Sequence, residues 1–121
     1  MAAPTVEQME QVDWQLPWRF VGIGEGSGSE NALMKETAPE HPLYDKRAIA
    51  VGARVDRDDV LYLLPDEPQP LAVVSLTWAS APSDDAEERA KVPETVFYSS
   101  LEDWLERGMG ADRAEYMSGE G

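Results

Sequence analysis

The chain has 121 residues, with ten Lys and Arg against 24 Asp and Glu, one His, no Cys and a formal net charge of −14. That length suits a single domain with its own core, and the absence of cysteine excludes thiol catalysis, disulfides and thiolate metal sites. So acidic a field repels phosphate backbones, which speaks against nucleic-acid binding and leaves simple solubility, salt adaptation, or a basic protein partner or nucleic-acid mimicry steered by charge.

The charge is uneven. Residues 1–45 carry eight acids and two bases, residues 46–78 five and four, and residues 79–121 eleven and four. No run approaches the ~20 apolar residues of a membrane span, and the start MAAPTVEQMEQVDW lacks the apolar stretch of a secretory leader. A cytoplasmic protein without membrane contact is the expectation.

In chain order, Val6, Met9 and Val12 recur at three-residue spacing and predict a short, frayed helix within residues 1–13. Trp18–Ile23 reads as a short strand or extended segment, followed by the glycine-rich loop 24–29. Ser29 is placed to cap a helix over Glu30–Thr37 that Pro39 terminates.

From His41 to Trp78 the pattern is that of three strands and two turns. Arg47–Asp56 is the first strand, with Ile49, Val51, Ala53 and Val55 on one face and the small residues Ala48, Ala50 and Gly52 on the other. Asp56, Asp58 and Asp59 supply turn chemistry. Val60–Leu64 is the second strand, ended by three prolines in 65–70, and Leu71–Trp78 is the third. The second and third are apolar on both faces, so helices, the N-terminal segment or a second subunit must cover both sides.

Residues 79–94 form a polar crossover with one helical turn around Ala86–Lys91. Thr95–Tyr98 resembles a fourth strand. Ser99 with Glu102, or Ser100 with Asp103, makes a capping box for a helix over Leu101–Arg107. Its apolar face is Leu101, Trp104 and Leu105, and Gly108 is the stop signal. The fold expected is α+β, a three- to four-stranded antiparallel meander packed with two to three helices. Residues 1–109 form one domain and 110–121 a flexible acidic tail.

Four features could carry chemistry. The run Gly22-Ile23-Gly24-Glu25-Gly26 precedes a helix as a dinucleotide fingerprint would. However, its third glycine is displaced, Glu25 would sit beside the phosphates, and no repeated βαβ units follow. His41 is the only histidine, so a His-pair metal site is excluded. A lone base beside Tyr44 is conceivable chemistry, and a turn that packs Leu43 and Tyr44 on the core is the simpler reading. The Asp56–Asp59 cluster lacks the register of a calcium loop, and Arg54 and Arg57 offset its charge. Ser75 and Thr77 interrupt an apolar strand and need partners. With Arg54 they make the best candidate binding surface, to which His41 and Tyr44 are added. No catalytic, cofactor or metal residue is assigned.

The residues His41-Pro42-Leu43-Tyr44, Arg54, Asp58-Asp59-Val60-Leu61-Tyr62, Ala72-Val73-Val74, Leu76-Thr77-Trp78 and Tyr98-Ser99…Glu102-Asp103-Trp104 run in a fixed order. In that order and spacing the chain resembles a group of small bacterial proteins of unknown function, over roughly residues 40–108, with Trp18–Gly22 matching loosely. The resemblance implies a compact intracellular α+β domain and carries no catalytic residue with it.

The function expected is that of a non-enzymatic binding domain, inhibitor- or immunity-like, for a basic protein. The alternative is a small-molecule site or enzyme on the sheet face near Arg54, Ser75 and Thr77. A homodimer through the two-sided sheet is the third reading.

Overall fold

A computed structural model describes residues 4–22, 24–78 and 84–118. Part of the expected crossover, 79–83, lies outside the described residues, as do the first three and the last three positions. The described chain is α+β, built on a five-stranded antiparallel sheet in which spatial order follows sequence order. Its strands are β1 (Trp18–Phe20), β2 (Ile49–Arg54), β3 (Asp59–Leu63), β4 (Leu71–Ser75) and β5 (Glu94–Tyr98). The sheet therefore has one strand more than the three to four expected. The addition is β1, within the segment expected as a short strand or extended stretch, and it pairs Trp18 with Arg54 and Phe20 with Gly52.

Both faces of the sheet are buried, as the unbroken apolar runs of β3 and β4 require. On one face Ala50, Val60, Tyr62, Ala72 and Val74 pack with Ala32 and Leu33 of α2 (Ser27–Glu36) and with Leu43. On the other, Val51, Leu61, Leu63 and Leu71 pack with Met9 of α1 (Val6–Glu10), with Trp18, and with Trp104 and Met109 from the C-terminal helices. Thr5 caps α1 through a reciprocal box with Gln8. The helix α2 starts earlier than expected, at Ser27, because Ser29 is already inside it and gives its carbonyl to the Tyr62 hydroxyl (2.7 Å).

The register between β2 and β3 shifts between Ala50 and Gly52. A bulge inserts one residue and reverses the facing of everything beyond it. Strict alternation put Ala53 with Ile49 and Val51, and Gly52 with Ala50. Instead Ala53 packs with the Tyr62 cluster, while Gly52 turns toward the tryptophans. The continuous row of small residues is thus divided. Gly52 is needed where it stands: a Cβ there would lie 2.8 Å from Cη2 of Trp14.

Within the crossover, α3 (Ala86–Lys91) matches the helical turn expected there. Ser100 is the cap that α4 (Leu101–Trp104) uses, accepting from the Asp103 amide at 3.1 Å. The helix does not stop at Gly108. It widens into a π-helical stretch, Leu105–Gly110, and continues as α5 (Ala111–Ser118). Gly108 is buried with its missing Cβ against the Trp104 indole, so the glycine serves close packing where a stop was expected. Residues 111–118, expected as tail, are helical and tied to the core through Asp112.

Gly52→Ala would drive a methyl into Trp14, whose ring is wedged 6.0 Å from Phe20 and 5.4 Å from Trp104. The expected loss is about 1–3 kcal/mol of stability, read in urea as a lower midpoint at unchanged slope.

Candidate functional site

Arg54 and Ser75 do share a face and an end of the sheet, joined by a residue the sequence left in a turn. Asp59 pairs with Ser75 across β3 and β4, and Ser75 with Glu94 across β4 and β5. Arg54 follows the Ala53–Val60 pair, which aligns it with Asp59 and puts it on the face of Asp59 and Ser75. The result is a polar row along the sheet's rim: Trp18, Arg54, Asp59, Ser75 and Glu94. The Ser75 hydroxyl donates to Asp59 Oδ1 at 2.8 Å, and Arg57 stands 3.9 Å from the same carboxylate.

Arg54 is only 8 % exposed, and it is bidentate to Asp56 (Nε to Oδ1 2.8 Å, Nη2 to Oδ2 2.9 Å). Its Nη1 lies 3.4 Å from Asp112 Oδ1, and the other oxygen of Asp112 accepts the Trp18 indole N–H at 2.8 Å. The bond to Asp56 holds Arg54 above the ordinary guanidinium range against the opposing effect of burial. The same bond pulls Asp56 below the ordinary carboxylate value. The row is a brace between β1, β2 and α5.

Thr77 is not part of it. Its amide and hydroxyl both donate to Glu36 Oε1 (2.9 Å each), and the Trp78 amide donates to Glu36 Oε2 (2.8 Å). Glu36 is a buried carboxylate on α2 that the sequence reading passed over. Its signal was its spacing, four residues after Ala32 and three after Leu33 on the helix's inward face. It holds Trp78 at φ +61°, a left-handed conformation that costs a bulky residue energy. Trp78 remains half exposed.

His41 is buried and used up structurally. Its Nδ1 accepts from the Leu43 amide (3.0 Å), so Nε2 carries the proton and donates to the Pro93 carbonyl (2.8 Å). Tyr44 stands apart, half exposed, on the rim of a groove of about 650 Å³ between α2 and residues 43–48. Leu33, Leu43 and Met34 line this groove, with Lys46 and Arg47 at its mouth. Lys46 faces Glu67 at 3.5 Å. A second hollow of about 400 Å³ lies beside α5, between Gln15, Met109, Arg113 and Met117.

The glycine-rich loop does not form an open phosphate cradle. Glu25 folds back on it, accepting from the Gly22 amide at 3.2 Å and from Arg19 at 2.9 Å. Among the described residues no three His, Asp or Glu side chains are grouped to hold a metal ion. No described helix is long and apolar enough to cross a membrane.

The charge has a place in the fold. Residues 84–107, which comprise α3, the edge strand β5 and α4, hold eight acids and three bases. Two of those bases are engaged at once, Arg89 with Glu40 (3.1 Å) and Arg107 with Asp103 (2.6 Å). Glu87, Glu94 and Glu102 are exposed around β5.

Compared with protein-family models, with curated proteins and with solved structures, the chain finds no match.

Replacing Arg54 with Leu would strand Asp56 and Asp112 against a partly buried wall. At neutral pH the expected cost is about 1–3 kcal/mol, the carboxylates being part-exposed and therefore screened. Asp56 is depressed in the folded state, so its contribution is present above the unfolded carboxylate value and fades as pH falls through the folded one. The deficit of Arg54→Leu should therefore narrow as pH drops below about 4. Urea midpoints of both proteins across that range check it, and a constant gap would contradict it.

Proposed function

We propose that this chain is a non-enzymatic protein-binding domain that takes a basic partner on its α3–β5–α4 flank. The observation that supports this reading is the concentration of exposed carboxylates around an edge strand, beside polar side chains that bond one another. Arg54, Glu36, His41, Ser75 and Tyr62 each spend their polar atoms on another described residue. Burial raises the Tyr62 phenol far above its usual range, so it is no acid or base near neutrality. What the domain offers a partner is its surface, and there the excess charge is negative. An acidic face speeds encounter with a basic protein and discriminates against acidic ones.

A second reading, a small-molecule site, is favoured by the groove under Tyr44 rather than by the rim at Arg54 and Ser75. Fragment binding that shifts the NMR signals of Leu33 and Leu43 would support it.

Immobilised protein should retain basic proteins from a bacterial lysate at about 0.05 M salt and release them by about 0.5 M, where screening is short-ranged. A variant with Glu87→Gln, Glu94→Gln and Glu102→Gln should lose most of that retention while melting normally. An unchanged captured set, or one indifferent to salt, would contradict the reading.

A further inference from the structure

The direction of each backbone group in β5 follows from two hydrogen bonds that flank the β3–β4 ladder. The Leu64 amide donates to the Pro70 carbonyl (2.7 Å), and the Leu76 amide to the Asp58 carbonyl (3.1 Å). In an antiparallel pair, hydrogen-bonded and non-bonded residues alternate. With Leu63 opposite Leu71 and Asp59 opposite Ser75, the β3–β4 bonds fall on Tyr62/Ala72 and Val60/Val74. Leu71, Val73 and Ser75 therefore turn their backbone toward β5, where they meet Tyr98, Val96 and Glu94. That leaves the amides and carbonyls of Thr95 and Phe97 directed away from the sheet.

Both ends of this open edge are closed. The Pro93 carbonyl accepts from His41 Nε2 and from the Thr95 hydroxyl (3.0 Å). The Ser99 amide donates to Asp103 Oδ2 (2.9 Å). Between these stops, the Thr95 and Phe97 backbone groups have no partner among the described residues, and Val96 is 45 % exposed beside them.

We propose that β5 is a docking edge for a short extended segment of a basic partner, which adds a sixth strand opposite Thr95–Phe97. This rests on the protein-binding reading above and names its mode: backbone pairing for affinity, an apolar residue against Val96, and Lys or Arg at either end toward α3 and α4. Charge selects this occupant over a second copy of the chain. Antiparallel self-pairing about Val96 would set residues 84–91 of one copy, which carry four acids against two bases, beside Glu102 and Asp103 of α4 in the other. A basic segment meets both flanks favourably.

The test uses the blocked peptide Lys-Arg-Val-Thr-Val-Arg-Lys and a control of equal charge, Lys-Arg-Gly-Ser-Gly-Arg-Lys, at low salt. The first should bind more tightly and slow hydrogen exchange at the Thr95 and Phe97 amides. N-methylation of its alternate amides should weaken it about tenfold, as should Thr95→Pro in the protein. The Thr95 amide is not in the ladder, so Thr95→Pro should keep the fold, whereas Val96→Pro should not.

Equal binding of the two peptides with no protection of those amides overturns strand addition and leaves the acidic-flank reading standing. Binding of neither peptide overturns both. A dimer that forms without peptide and protects the same amides assigns the edge to a second copy and overturns the proposal.

Discussion

The structure depends on one constraint: the middle of its sheet is apolar on both sides and cannot face water on either. Leu61, Tyr62 and Leu64 before the proline turn, and Leu71, Ala72 and Val74 after it, are all fully buried. Each large side chain so buried contributes roughly 1.5–3 kcal/mol, whereas an exposed ion pair adds about 0–1. Apolar cover therefore decides that the domain folds, and the many surface charges do not. One cover is α2 with the segment around Leu43. The other is assembled from both ends of the chain, Met9, Trp14 and Trp18 from the start, Trp104 and Met109 from the end.

Polar side chains then decide where the covers sit. On the α2 face, Glu30 accepts from the Ala50 amide (2.9 Å), next to the bulge, while Glu36 holds the Thr77 and Trp78 amides and Tyr62 holds Ser29. These bonds leave few positions for a helix whose own apolar stripe is narrow. On the opposite face Asp112 binds the Trp18 indole and approaches Arg54, so α5, β1 and β2 meet at one carboxylate. Removing apolar surface would cost the fold itself, and removing these bonds would cost its definition.

This division explains what could be read from sequence. The strands β2 to β5, the turn of α3 and the cap of α4 follow from local alternation, proline placement and Ser-x-x-Asp spacing, which act within a few residues. The bulge was hidden because alternation looks the same on either side of an inserted residue. The helix α5 was hidden because Gly108, which makes room for Trp104, carries the same letter as a helix stop. Arg54 and Ser75 stood out as polar residues on apolar strands, and they do lie in one row. Their partners did not stand out, since Trp18 meets Asp112 across 94 positions and Trp78 meets Glu36 across 42. His41 bonds the Leu43 amide and the Pro93 carbonyl, and Trp104 packs in the core as its place on the apolar face of α4 required.

An exposed strand edge is ordinarily a liability, because its unpaired amides template further strands. Here the liability is bounded on three sides. His41 closes one end through Pro93, Asp103 closes the other through Ser99, and Glu94 places a charge on the strand itself. Arg107 also stands over the Tyr98 ring, 5.1 Å from its centroid, while paired with Asp103, so the stop at the far end is itself braced. A domain that needed only protection could have extended these stops across Thr95 and Phe97. Among the described residues these stops end short of the Thr95 and Phe97 backbone groups, which is where the proposed segment of another chain would pair. The surrounding carboxylates repel a second copy of the same flank and favour a segment of opposite charge.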